Sequence, residues 1–130
     1  MLNKLATTSC NKILLIDDDP GVLKALSMLL KVMGFEVAAF ENSVKAVEQI
    51  QDENNHYDLI VSDLRMPGMD GIDVLKKSKL IRPKLPFLLV SGHATPEDVS
   101  LALSLGAQGF IGKPFNPGEF ERVFKEIAVA

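Results

Sequence analysis

The stretch KILLIDDDPGVLKALSMLLKVMG, residues 12–34, decides the fold. It starts with Lys12-Ile13-Leu14-Leu15-Ile16, four apolar side chains in succession rather than in alternation. A strand covered on both faces, as in a parallel sheet, reads this way. Three acids follow. Asp19 then reads as a helix cap, with Pro20 at the first helical position, where a missing N–H costs nothing. Val22, Leu23, Leu26, Leu29, Leu30 and Met33 recur at helical spacing until Gly34 stops the helix.

The same unit returns along the chain. Further short apolar runs lie at residues 35–40, 57–61, 86–90 and 108–111. Val44, Val47 and Ile50 mark a second helix, and a third begins near Gly71 with Ile72, Val74 and Leu75. Thr95-Pro96-Glu97-Asp98 opens a fourth with a cap, a first-turn proline and two carboxylates. Asn116-Pro117-Gly118-Glu119 opens a fifth, with Glu119 at the capping-box position and Phe120, Val123, Phe124 and Ile127 on one face. Five alternations predict right-handed βαβ units, hence an α/β fold with one doubly wound, five-stranded parallel sheet and five helices. Residues 1–10 read as a loose leader and 11–130 as a single domain.

Composition narrows the function. The 130 residues are 47% hydrophobic and 24% charged, enough for one compact core. A formal net charge of -3 argues against direct nucleic-acid binding, which needs a basic surface. No apolar run approaches the roughly 20 residues of a membrane helix. The single Cys10 offers neither a disulfide nor metal-ligand spacing. A cytoplasmic location is the expectation. The basic stretch at residues 76–84 reads as a solvated helix end favoured by the macrodipole.

In open α/β sheets, ligands sit at the carboxyl ends of the strands. The first strand runs into Asp17-Asp18-Asp19, the third into Ser62-Asp63, the fourth into Ser91-Gly92 and the fifth into Gly112-Lys113-Pro114. Acids, a hydroxyl and a lysine should meet on one rim. Two carboxylates about 5 Å apart repel by ~3 kcal/mol at an effective dielectric of about 20. Such a pocket wants a cation, and oxygen-only ligands suit Mg²⁺, which keeps open water positions for a phosphate. Lys113 would pair with phosphate oxygens, Ser91 would donate to another, and one carboxylate is left as nucleophile for an aspartyl phosphate.

These residues resemble the receiver domains of two-component signalling, the chemotaxis-regulator type included. The resemblance rests on residues 13–20 (ILLIDDDP), 58–71 (DLIVSDLRMPGMDG), 90–93 (VSGH) and 110–115 (FIGKPF), in order along the chain. It implies the flavodoxin-like strand order 2-1-3-4-5 and a phosphoacceptor at Asp63. It also implies Mg²⁺ held by Asp18, Asp63 and the backbone carbonyl of Arg65, with Asp17 acting mainly through a water. Which two of the three consecutive aspartates serve depends on register; Asp17 and Asp18 follow the apolar run directly. Ser91 and Lys113 match the family's Ser/Thr and lysine, and Lys113-Pro114 its cis peptide bond. Phe110 falls at the switch-aromatic position, although as a residue it also reads as a plain core Phe.

The resemblance further implies a sensor histidine kinase or phosphotransfer protein as phosphoryl donor. Output would pass to a second copy or another partner through the fourth helix, fifth strand and fifth helix. In the fourth helix, Val99, Ala102, Leu103 and Gly106 suit the core, whereas Leu101 and Leu105 form a second apolar pair. His93 reads as a solvated loop residue; a sharper expectation is that His93 and Arg65 govern how water reaches the acyl phosphate. The chain would be a signalling module rather than an enzyme. The rival is a small haloacid-dehalogenase-type phosphatase with Asp17 as nucleophile and Asp19 as acid/base. Gly21 stands where that reading expects Thr.

Overall fold

The computed structural model describes residues 12–129, with side chains through 127. The expected leader and Cys10 lie outside the described residues.

Five strands alternate with five helices. The strands are β1 (Lys12–Ile16), β2 (Glu36–Phe40), β3 (Leu59–Ser62), β4 (Phe87–Ser91) and β5 (Gly109–Gly112). The helices are α1 (Pro20–Val32), α2 (Ser43–Gln51), α3 (Gly71–Ile81), α4 (Pro96–Ser104) and α5 (Pro117–Val129). All strand pairs are parallel, in the order β2-β1-β3-β4-β5.

Successive residues of a strand point to opposite faces, and each face of the sheet is covered. Ile13, Leu15, Leu59, Val61, Leu88, Val90 and Ile111 pack on α1 and α5, against Leu26, Leu30, Phe120 and Phe124. Leu14, Ile16, Ile60, Phe87 and Leu89 face the other way, onto Val47, Ile50, Val74, Leu75 and Ala102 of α2, α3 and α4. This is why the central strands read as unbroken apolar runs. The edge strand β2 is only partly covered, and Ala39 is exposed.

Chemistry at the helix ends explains where helices start. Asp19 accepts the Gly21 and Val22 N–H groups at 2.9 and 3.2 Å, with Pro20 behind it, as expected. Thr95 and Asp98 form a reciprocal capping box on α4. Asp70 and Asp73 form one on α3 that the sequence reading did not anticipate. Gly34, at φ 102, ends α1 in the left-handed region, where glycine is favoured.

Val44, Val47 and Ile50 fall in α2 as expected; its buried face is Ser43, Ala46, Val47 and Ile50, and Val44 is 49% exposed. The burial expected along α4 needs correction. Leu103 and Gly106, expected in the core, are exposed, Leu103 by 48%, and Leu105, expected outward, packs against the core. In α4 only Ala102 is buried. A nine-residue helix with apolar residues around its circumference leaves its rotational phase open to a period count.

Candidate functional site

Backbone hydrogen bonds bring the rim residues together. The parallel ladder continues one step past β1, β3 and β5: Asp17 N–H donates to the Phe40 carbonyl (3.2 Å), Asp63 N–H to Ile16 (2.9 Å) and Lys113 N–H to Ser91 (3.1 Å). Side chains leaving the sheet at these steps therefore share one edge.

There the carboxylates of Asp17, Asp18 and Asp63 crowd together, each offering an oxygen within 4.8 Å of the others. Asp17 and Asp63 are buried, and Asp18 is the most open of the three. Lys113 Nζ lies 2.7 Å from Asp17 Oδ2 and 3.6 Å from Asp63 Oδ2. Asp17 Oδ1 accepts the Asp19 N–H at 2.9 Å, and Asp63 Oδ1 accepts the Leu64 N–H at 2.8 Å. Burial pushes the Asp63 carboxyl above the ordinary carboxylate range and the Asp17 charge pushes it further. Lys113 and the Leu64 N–H pull the other way.

This donor set fits a hard divalent cation. Oxygens around an octahedral Mg²⁺, each about 2.1 Å from it, stand roughly 3–4 Å apart, so carboxylates already within 4.8 Å need only a small closure. Asp17 has both oxygens engaged, by Lys113 and by the Asp19 N–H. Asp18 makes no such contact among the described residues, and Asp63 Oδ2 has only the longer 3.6 Å approach of Lys113, so these two are less tightly held than Asp17.

Ser91 is buried at the end of β4, and its Oγ accepts the His93 N–H at 3.2 Å. His93 is exposed beside the site. Lys113-Pro114 is cis, as the resemblance implies. Phe110 is half-buried on the α4 side of the sheet, in the same cluster as Ala94 and Leu105.

Three features escaped the sequence reading. Gly71 N–H donates to the Leu64 carbonyl at 2.8 Å, and a Cβ there would collide with the Asp63 carbonyl oxygen. The buried Ser43 at the start of α2 donates to the Met69 carbonyl at 2.7 Å, tying α2 to the β3–α3 loop. Arg65 Nη2 lies 2.8 Å from Asp98 Oδ2, joining the loop after Asp63 to the first turn of α4. The signal for the first was the glycine itself; the other two pairs carry none at the level of spacing.

The phosphatase alternative fares poorly in this geometry. Asp19 is committed to capping α1, and Asp17 is held by Lys113.

Comparison with known proteins agrees with the geometry. Residues 13–125 match the family described as the response regulator receiver domain. The C4-dicarboxylate transport transcriptional regulatory protein DctD of Rhizobium meliloti is 37% identical over 79% of this chain and 22% of its own length. The transcriptional regulatory protein FixJ of Bradyrhizobium diazoefficiens is 35% identical over 83% of this chain and 52% of its own. The chain thus spans between about a fifth and a half of these curated relatives. A receiver domain protein from Methanospirillum hungatei, described as CheY-like, superposes with a TM-score of 0.85 at 30% identity, covering 93% of this chain and 95% of that one.

Proposed function

Since the chain belongs to the receiver-domain family of two-component response regulators, we propose that Asp63 is its phosphoacceptor and that Mg²⁺ is its cofactor. The observation that carries this reading is the three-carboxylate cluster with Lys113 Nζ between Asp17 and Asp63. Asp18, Asp63 and the Arg65 carbonyl would hold the ion, with Asp17 behind a water. When bound, the ion would neutralise negative charge on the phosphoryl group being transferred.

The donor in this reading is a phosphohistidine of a sensor histidine kinase or phosphotransfer protein. An Asp63 carboxylate oxygen attacks phosphorus, the P–N bond breaks, and the histidine nitrogen keeps its electron pair. Lys113 moves from pairing with carboxylates to pairing with a phosphoryl oxygen. The Ser91 hydroxyl donates to another, because among the described residues its proton has no acceptor. The chain lowers the barrier by positioning and charge, and water on the acyl phosphate later restores Asp63. In this sense it assists its own phosphorylation and dephosphorylation without being a classical enzyme.

The output surface proposed is the face of α4, β5 and α5. Leu101 and Leu103 stand 45% and 48% exposed on α4, and Phe110 is only half-buried beneath it. Inward movement of Phe110 would follow Ser91 when the hydroxyl turns to the phosphoryl group, altering what this face presents to a second copy or another partner.

The test is incubation with acetyl phosphate, with and without Mg²⁺, of wild type and Asp63→Asn. A mass gain of one phosphoryl group in wild type with Mg²⁺, absent from the variant, is expected. Labelling that persists in Asp63→Asn would overturn the assignment. Turnover of p-nitrophenyl phosphate lost in Asp17→Asn but kept in Asp63→Asn would restore the phosphatase reading.

A further inference from the structure

The pair between Arg65 and Asp98 joins two segments that no backbone hydrogen bond unites. Arg65 sits two residues past Asp63, on the loop that the proposed phosphoryl group would load. Asp98 lies in the first turn of α4, just beyond the loop that begins at Ser91. The Nη2–Oδ2 distance is 2.8 Å, and the side chains are 53% and 22% exposed. The same Asp98 oxygen also accepts the Thr95 N–H at 3.0 Å, while Thr95 Oγ1 accepts the Asp98 N–H at 3.1 Å. The guanidinium therefore grips a carboxylate already fixed to the helix start, so any shift of Thr95 and Asp98 relative to the Asp63 loop must stretch this contact.

Such a shift follows from the chemistry of Ser91. Its Oγ holds the His93 N–H, so a hydroxyl that turns toward phosphoryl oxygens pulls on the backbone leading to Thr95. We propose that Asp98 is a positioning residue that, through Arg65, straps the start of α4 to the phosphoacceptor loop and holds the Ser91–Thr95 segment in its unphosphorylated place. The strap raises the threshold for switching, and its loss eases the bound state. This rests on Asp63 being the phosphoacceptor.

Asp98→Asn is the informative variant. The amide keeps an oxygen for the Thr95 N–H and so keeps the cap, but loses the charge that grips Arg65, and it alters no residue assigned to ion or phosphoryl binding. The probe is beryllofluoride with Mg²⁺, its affinity followed by the amide resonances of Ser91 and Asp98 or their replacements. An exposed ion pair is worth a small factor, so Asp98→Asn and Arg65→Gln should each bind about two- to five-fold more tightly than wild type. The double variant should bind no more tightly than either single one, since both remove the same contact. The gap between wild type and Asp98→Asn should also close between about 0.05 M and 0.5 M salt, where screening already weakens the strap.

Single variants that bind as wild type or more weakly, effects that multiply in the double variant, or a gap indifferent to salt would each overturn the strap. If wild type itself fails to bind beryllofluoride at Asp63, the proposed function falls and the strap falls with it. If wild type binds and only the variant differences are missing, the function stands and the strap alone is refuted.

Discussion

Replacing Gly71 with alanine should damage the protein out of proportion to one methyl group. Gly71 is the first residue of α3, and its amide donates to the Leu64 carbonyl at 2.8 Å. A methyl there would overlap the Asp63 carbonyl oxygen and stand 3.0 Å from Leu64 Cα. These are backbone atoms, fixed by β3 pairing on one side and by the 2.8 Å bond from Leu64 N–H to Asp63 Oδ1 on the other. No side chain can rotate away to make room. Overpacking of this kind costs roughly 1–3 kcal/mol, while exchanging glycine for alanine in a helix returns up to about 1 kcal/mol. The expected net loss is about 1–2 kcal/mol, or a fall in Tm of roughly 4–7 °C for a domain of this size. Because the displaced carbonyl belongs to Asp63, phosphoryl labelling by acetyl phosphate should also slow at temperatures where the variant is still folded. Gly68→Ala separates the two effects. Gly68 has φ 78 with nothing within 4 Å of an added Cβ, so alanine there strains the backbone but leaves Asp63 in place. It should lose stability and keep its labelling rate. A Gly71→Ala protein that melts at or above the wild-type temperature would refute the packing argument, and one that melts lower but labels normally would refute the link to Asp63.

Lys113→Ala should cost about 2–3 kcal/mol in divalent-free buffer. It strands Asp17, whose side chain is 3% exposed, although the Asp19 N–H still supports one oxygen. Urea unfolding measures it, and added Mg²⁺ should stabilise the variant more than wild type; equal stability of the two proteins would contradict the pairing. The raised Asp63 carboxyl gives a pH dependence of definite sign. Between the ordinary carboxylate pKa and the raised one, the native state holds a proton that the unfolded chain has released. Metal-free stability should therefore fall as pH rises through that window, and Asp63→Asn should remove this component of the slope. Unfolding in EDTA from about pH 4 to 7 checks it, and identical slopes in the two proteins would count against the burial and Asp17 repulsion invoked.

How far the sequence discloses this molecule depends on the range of the interaction being read. Strand and helix alternation was legible because burial on both sheet faces writes unbroken apolar runs such as residues 13–16, and because Asp19 and Thr95 cap helices through bonds only a few residues long. The phase of α4 was not, since only Ala102 among its residues is buried and Leu101 and Leu103 lie open on its surface. At the site, Asp17, Asp63, Ser91 and Lys113 could be placed together because parallel strands deliver their carboxyl ends to one edge, whatever the side chains do there. The Arg65–Asp98 pair lies 33 residues apart in sequence between exposed charges, and no period or turn chemistry connects them. Gly71 is intermediate: its identity could be seen, but the need for it comes from the loop returning beneath the Asp63 carbonyl, a tertiary fact. Interactions set by sheet topology were therefore legible before the structure, and those that connect one loop to another were not. The second class includes the contact proposed to govern switching, so the proposed acceptor can be read from a receiver sequence sooner than the threshold at which it would act.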